Sequence, residues 1–314
     1  MRIAMRLNFV LSALVLTLAP AVAAAADATD LAFPFAAASG ETLAWQVSES
    51  ETATLGARHE ETVRWSEKLT LAVGAALADG FEAKLTVSGV VAEAGTPATL
   101  HYVLARALAE RPLDVVVDRG GFVREVRDWP AVRTALEAAL PALTDAVTAR
   151  SLAAVLDKLD AARAGAVVAR PLLLASGAYA LAFRSDGTVA FHPDWQGGSA
   201  YVFPGRQAAS RIVGRKDSEV FAQYSLSTDP MIAAGHVGNE LLAVLNAAAG
   251  GQTALADSAR TDSALIATDG VNLGEQAAFS FDAAIRRITQ FKHRVSVGVG
   301  DFQRVQELQL DLIR

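Results

Sequence analysis

The sequence predicts an α+β protein: a large curved antiparallel sheet, open and barrel-like, covered by helices inserted near 128–163 and 229–249. Long segments in both halves of the chain alternate apolar and polar residues with period two, the pattern of antiparallel strands with one buried and one wet face. Two stretches with helix-start residues and three-to-four spacing of apolar residues interrupt them. The chain closes on Leu308, Leu310 and Leu312, a strand pattern near Arg314. A strand in such a position is held only by pairing, so the two ends of the chain are expected to meet in one sheet.

Each element follows from its own residues. After an extended lead over 30–40, Leu43, Trp45 and Val47 share a face. Val63, Trp65, Leu69, Leu71 and Val73 alternate with Arg64, Ser66, Lys68 and Thr70, and Phe81, Ala83, Leu85 and Val87 oppose Glu82, Lys84, Thr86 and Ser88. Ala78-Asp79-Gly80 supplies the hairpin turn between the last two. Residues 99–108 read as a fourth strand of mixed pattern. Val115 to Val117 and Phe122 to Val126 form a hairpin around Asp118-Arg119-Gly120-Gly121, whose glycines accept positive φ.

Asp128 then serves as a helix N-cap with Pro130 in the first turn, where a missing N–H costs nothing. Trp129, Val132, Leu136, Leu140, Leu143 and Val147 form an apolar stripe, and Pro141 kinks or restarts the helix. Ser151 caps a further segment carrying Leu152, Val155, Leu156 and Leu159. Gly165 ends the helices, and strands resume as a hairpin around Asp186-Gly187 and at 199–205, 209–215 and 219–226. Thr228 or Asp229 opens the second helical insertion and Gly250-Gly251 stops it; Gly235 and Gly238 weaken its first half by about 1 kcal/mol each. Phe291, His293, Val295, Val297 and Val299 share one face of a late strand. Arg-Pro-Leu at 111–113 and again at 170–172, each followed by a strand, an Asp-containing turn and Asp-Trp, suggests a faint internal echo.

The first 26 residues have the layout of a secretory signal peptide. Arg2 and Arg6 precede an apolar run that is too short to span a membrane, and small residues allow cleavage after Ala23, Ala25 or Ala26, with Ala26 preferred. Residues 27–314 contain no linker or low-complexity run and are expected to form a single antiparallel-sheet domain with helical insertions. The chain has no cysteine. It is therefore not a lipoprotein, and it has neither disulfides nor thiolate metal sites; its core alone must hold it. Abundant alanine and an excess of arginine over lysine point to a GC-rich bacterium, so the expected location is periplasmic or secreted, with no stable transmembrane span after cleavage. The whole chain carries −6, and losing Arg2 and Arg6 makes the remainder more acidic still. Nucleic acid and anionic lipid surfaces are poor partners for such a chain. The densest basic stretch, Arg286, Arg287, Lys292, His293 and Arg294, reads as a solvated strand face.

No catalytic motif emerges, and the chain is expected not to be an enzyme. His59, His101, His192, His236 and His293 lack metal-ligand spacing, and Val63 stands where a zincin would place its second histidine. His293, between Phe291 and Val295, reads as a buried histidine bonded to a backbone group. The serine-elbow, phosphate-loop and dinucleotide patterns are absent. Carboxylate pairs such as Glu60 and Glu61, or Asp114 and Asp118, have no geometry that marks them as glycosidase pairs. No metal and no cofactor is implied. Among the four tryptophans, Trp45 and Trp65 lie on the buried face of the first strands and Trp129 opens the helix. They either pack between sheet and helix or line an apolar pocket there.

The combination of leader, long alternating strands and mid-chain helices resembles the curved-sheet periplasmic carriers of the lipoprotein-localisation superfamily. The resemblance implies helices that plug the concave face of the sheet and shelter an acyl chain beneath them. Trp45, Trp65, Leu69, Leu71, Phe81 and Leu85 would then form the concave wall, with Trp129 in the cover. The function expected on that basis is an exported periplasmic protein binding or carrying an apolar or acyl ligand between sheet and helices. The alternative is a structural or interaction protein of the cell envelope, partnered by an envelope protein and holding no small-molecule ligand.

Overall fold

A computed structural model describes residues 31–55, 59–93, 99–179, 181–183, 189–191, 207–227, 272–299 and 302–313. The expected leader at 1–26, the strand at 199–205 and the helix at 229–249 lie outside the described residues. The strands are β1 (Leu31–Ala32), β2 (Thr42–Leu55), β3 (His59–Leu77), β4 (Gly80–Ala92), β5 (Leu113–Asp118), β6 (Val123–Val126), β7 (Leu181–Phe183), β8 (Val189–Phe191), β9 (Gln207–Lys216), β10 (Glu219–Ser227), β11 (Asn272–Asp282), β12 (Arg287–Val299) and β13 (Phe302–Leu312). The helices are α1 (Leu100–Leu108), α2 (Trp129–Leu143), α3 (Ala146–Asp157), α4 (Ala161–Val168) and α5 (Arg170–Tyr179).

Ten strands form one open antiparallel sheet in the order β6-β5-β4-β3-β2-β13-β12-β11-β10-β9, and β1, β7 and β8 form a small separate one. The two ends of the chain do meet: β13 pairs with β2 from Phe302↔Leu55 to Leu312↔Trp45. Length and curvature go together here. The 19-residue β3 shifts register against β4 near Ser66/Lys68 and again near Val73/Ala76. Such bulges bend a strand and sharpen its twist. At the first of them Gly89 has φ +59°, a left-handed backbone that glycine adopts without strain.

The odd-numbered residues of β2 and β3 face the helices. Leu43, Trp45, Val47, Leu69 and Leu71 are buried with Leu136, Leu140, Leu152 and Leu156 in one apolar core. Trp129 Nε1 donates to the Leu159 carbonyl at 2.7 Å, tying the start of α2 to the end of α3. Tyr179 on α5 accepts the backbone N–H of Ile288 on β12 at 2.7 Å. No helix among the described residues is long and apolar enough to cross a membrane.

Several expectations change. Residues 100–108 are a helix, α1, not a strand: Thr99 caps it by accepting from the Tyr102 N–H, and His101, Leu104, Ala105 and Leu108 are buried. Their three-to-four spacing, with Arg106 bonded to Tyr102 one turn away at 3.0 Å, outweighs the β-branched Val103. Asp128 does begin α2, but in the left-handed region at φ 50° and without a side-chain cap bond. Its carbonyl accepts from Ala131 and Val132 instead, so the backbone turns directly from β6 into the helix. Pro141 lies inside α2, which ends at Leu143; Asp145 then caps α3 through the Val147 and Thr148 N–H groups. Val147 is 55% exposed and leaves the stripe. Ser151 is mid-helix, donating to the Val147 carbonyl.

Gly165 does not end the helices. It lies within α4, and helix continues through α5 to Tyr179. The internal echo fails for the same reason, since Arg170-Pro171-Leu172 opens a helix whereas Leu113 opens a strand. The role of Gly165 is close approach: a Cβ there would stand 2.5 Å from the Val123 carbonyl oxygen of β6. Gly165→Ala should therefore push α4 off β6 and cost about 1–3 kcal/mol. A lowered urea midpoint with an unchanged denaturant slope would show it.

Candidate functional site

The two faces of the sheet carry different chemistry, and both follow from strand alternation. On the helix side, the buried parity of β2 runs Leu43, Trp45, Val47 and then Glu49 and Glu51, both buried. β13 repeats the change in reverse, with Arg304 and Gln306 preceding Leu308 and Leu310. The register sets Glu51 opposite Gln306 and Glu67 of β3 opposite Val47. Helices contribute His101 from α1 and Arg170 from the first position of α5.

These side chains form one buried ionic network. Arg170 donates to Glu49 at 2.5 Å and to Gln306 at 3.3 Å. Arg304 pairs with the second oxygen of Glu51, whose first oxygen is 2.8 Å from His101 Nδ1 and 3.2 Å from Gln306 Nε2. Two guanidiniums thus face two carboxylates, and among the described residues no cation pairs with Glu67. Burial and the neighbouring Glu49 charge push the Glu67 pKa up to about 8, and its Oε2 has no partner. The same burial raises Glu49 against the pull of Arg170. Burial opposes ionisation of Glu51 as well, but Arg304 and His101 overcome it and hold it at about 2. Burial and the Arg170 charge bring His101 down to about 4. It is neutral at pH 7, with its proton directed by the Glu51 bond to Nδ1.

A smaller polar group lies further along the sheet. His293 Nε2 is 2.9 Å from Glu275 Oε1, which also accepts from Tyr224 at 3.2 Å. His293 is buried, as expected, but its partner is a carboxylate rather than a backbone group. Glu275 is the residue opposite Val295 on the adjacent strand, a relation visible only once register is known.

The opposite face bounds a trough of about 1020 Å³. Its walls come from β3 and β4 on one side (Arg64, Ser66, Ala92) and from β9 and β10 on the other (Arg211, Gln223, Ser225), so the sheet curls around it. The helices α1 to α5 back the sheet from the other side, so among the described residues no helix plugs the concave surface. Pairing lays two parallel rows across the floor. One runs Arg211, Gln223, Ala278, Lys292 and on through Gln309, Ser48 and Ser66. The other runs Ser225, Gln276, Arg294 and on through Glu307, Ser50 and Arg64.

The seven residues singled out from the sequence are all on the helix side. Leu69, Leu71 and Leu85 are at most 1% exposed, and Trp45, Trp65, Phe81 and Trp129 are also buried. Trp45 and Leu71 border a cavity of about 20 Å³ beneath α5, room for a water at most. Trp65 packs on Tyr102 of α1 at 6.0 Å and also borders the trough. The residues that line the trough floor were missed, because they are the polar half of each alternating strand and read as solvated. The buried charges had a legible signal: Glu49, Glu51, Glu67, Arg304 and Gln306 continue the apolar parity of their strands.

No family model matches the chain, and no curated protein matches it. A structure of lipovitellin describing its lipid–protein interactions superposes with a TM-score of 0.42 at 8% identity, covering 88% of this chain. The chain spans a quarter of that protein's length, 25%. DynF from the dynemicin biosynthesis pathway of Micromonospora chersina gives a TM-score of 0.20 at 7% identity, over 94% of this chain and 88% of that one. Superpositions at these scores carry no argument about function.

Two outcomes follow for the buried network. Arg170→Met strands Glu49 without its cation, and loss of one partner of a buried pair costs about 3–5 kcal/mol; urea unfolding at pH 7 reads it. Glu67 keeps in the folded state a proton that the unfolded chain loses above about 4.5, so stability falls as pH rises toward 8. His101 works in the opposite direction, weakening the fold as pH drops from 6.5 toward 4. Between pH 6.5 and 8 only the Glu67 contribution remains of these two, and Glu67→Gln should flatten the decline there. Equal urea midpoints for variant and wild type at both pH values would refute the assignment.

Proposed function

We propose that the chain is an exported envelope protein that binds an elongated ligand on the open face of its sheet and catalyses no reaction. The trough carries this reading. Its volume of about 1020 Å³ lies at the upper end of ligand sites, which occupy about 300–1,000 Å³. The space beneath the helices at Trp45 and Leu71 closes to about 20 Å³, so the reading moves the ligand from between sheet and helices to the opposite surface. The helical layer then acts as a rigid backing. Its ionic contacts through Arg170 and His101 fix the curvature of the floor rather than touching the ligand. Export is supported by Arg2 and Arg6 followed by the apolar run and the small residues up to Ala26.

One preparation tests both parts. Protein expressed from the full chain and recovered from the periplasmic fraction should have the intact mass of a chain beginning at Asp27. Its native mass spectrum should show a bound species that denaturation releases. Ala278 is exposed in the middle of the first row, and Ala278→Trp fills the trough without entering the core. The variant should fold normally and lose the adduct. An adduct that persists in this variant, or none in either protein, overturns the site; an uncleaved cytoplasmic product overturns the export.

A further inference from the structure

The two rows on the trough floor differ in charge balance. In the second, each cation faces a carboxylate: Arg294 lies 3.4 Å from Glu307, and Arg64 lies 3.5 Å from Glu93. In the first, Lys292 and Arg211 meet no carboxylate among the described residues. With the Gln223 amide turned so that its oxygen faces Arg211, Arg211 Nε instead donates to that oxygen at 2.6 Å. The rest of that row, Gln309, Ser48 and Ser66, is uncharged and hydrogen-bonding. An acid-free row whose two cations meet no carboxylate among the described residues, in a chain of net −6, is a local reversal of sign inside a cleft, where fields are focused.

We infer that the trough takes an acidic oligosaccharide laid across the strands, its carboxylates at Arg211 and Lys292 and its hydroxyls against Gln309, Ser48 and Ser66. This rests on the trough being the ligand site. Strands about 4.8 Å apart place Arg211 and Lys292 about 14 Å from each other along the sheet, a span that one ligand bridges only when extended. The trough has apolar lining too, at Val91, Ala92 and Ala278, but an acyl chain laid along this row would take the amides and hydroxyls of Gln223, Gln309, Ser48 and Ser66 out of water without offering them a partner. A peptide strand would require free backbone N–H and C=O groups, and those of the floor are already used in pairing.

The test is calorimetric titration of the mature protein with a short oligogalacturonate and with a neutral maltooligosaccharide of equal length. The acidic sugar should bind, and more weakly as salt rises; the neutral one should not. Arg211→Gln and Lys292→Gln should each weaken binding about tenfold or more, as loss of a charge-assisted contact does. Both residues are exposed strand positions, so circular dichroism and urea midpoints should be unchanged. Equal binding of the two sugars, indifferent to both substitutions, overturns the inference and leaves the trough as a site. So does failure of both sugars to bind a protein whose native adduct disappears in Ala278→Trp. Capture of phosphatidylglycerol vesicles through the same two residues overturns it in favour of a lipid. Failure of both sugars together with no adduct overturns the site itself.

Discussion

The pairing of β2 with β13 joins opposite ends of the chain at the centre of the sheet, and the remaining elements take their positions from it. On one side of this pair the strands follow in chain order from β2 to β6, and on the other in reverse chain order from β13 to β9. The same pair carries the switch from Leu43, Trp45 and Val47 to Glu49 and Glu51, and from Leu310 and Leu308 to Gln306 and Arg304. Antiparallel register aligns the two switches. The helix-side surface at the centre of the sheet is therefore greasy at one end and ionic at the other, and α5 reaches both, through Leu172 and Ala175 beside Trp45 and Leu310 and through Arg170 at Glu49.

That division says what each kind of contact does. Apolar burial supplies stability at about 25 cal/mol per Å² and is indifferent to small shifts of a helix across the sheet. Buried ion pairs contribute little net stability, because desolvation offsets their attraction, but they tolerate no misplacement. Arg170 reaches Glu49 and Gln306 from the start of α5, and His101 reaches Glu51 from α1. The helical layer is held on by Leu136, Leu140, Leu152 and their neighbours, and its location is set by these polar contacts. The face opposite the helices is shaped by this arrangement, since β2, β3 and β13 carry both the network and part of the trough floor.

Much of this was legible in the sequence. The long strands could be read because one face of each is wet, and Trp129-Pro130 with its following stripe marks α2 without ambiguity. Residues 100–108 were harder: Tyr102 and Val103 suit a strand, and the helical spacing of His101, Leu104, Ala105 and Leu108 is short. Gly165 looked like a helix stop because the Val123 carbonyl that excludes a side chain there is distant in sequence. The ionic network was present as parity, but a glutamate at an apolar position in a strand is ordinarily taken as the strand's end. The trough could not be read at all. Its rows depend on register across seven strands, and an outward Ser, Gln or Lys looks the same whether it faces bulk water or a cleft.

The central position of β13 also fixes an order of events. During synthesis the hairpin of β2 and β3 and the helices after it emerge early, while the inward-facing Glu51 lacks Arg304 and Gln306 until Phe302–Leu312 has been made. Burying that carboxylate before its cation is present is unfavourable. The strand at the centre of the sheet thus also completes the buried charge balance, joining backbone pairing and side-chain neutralisation in one element.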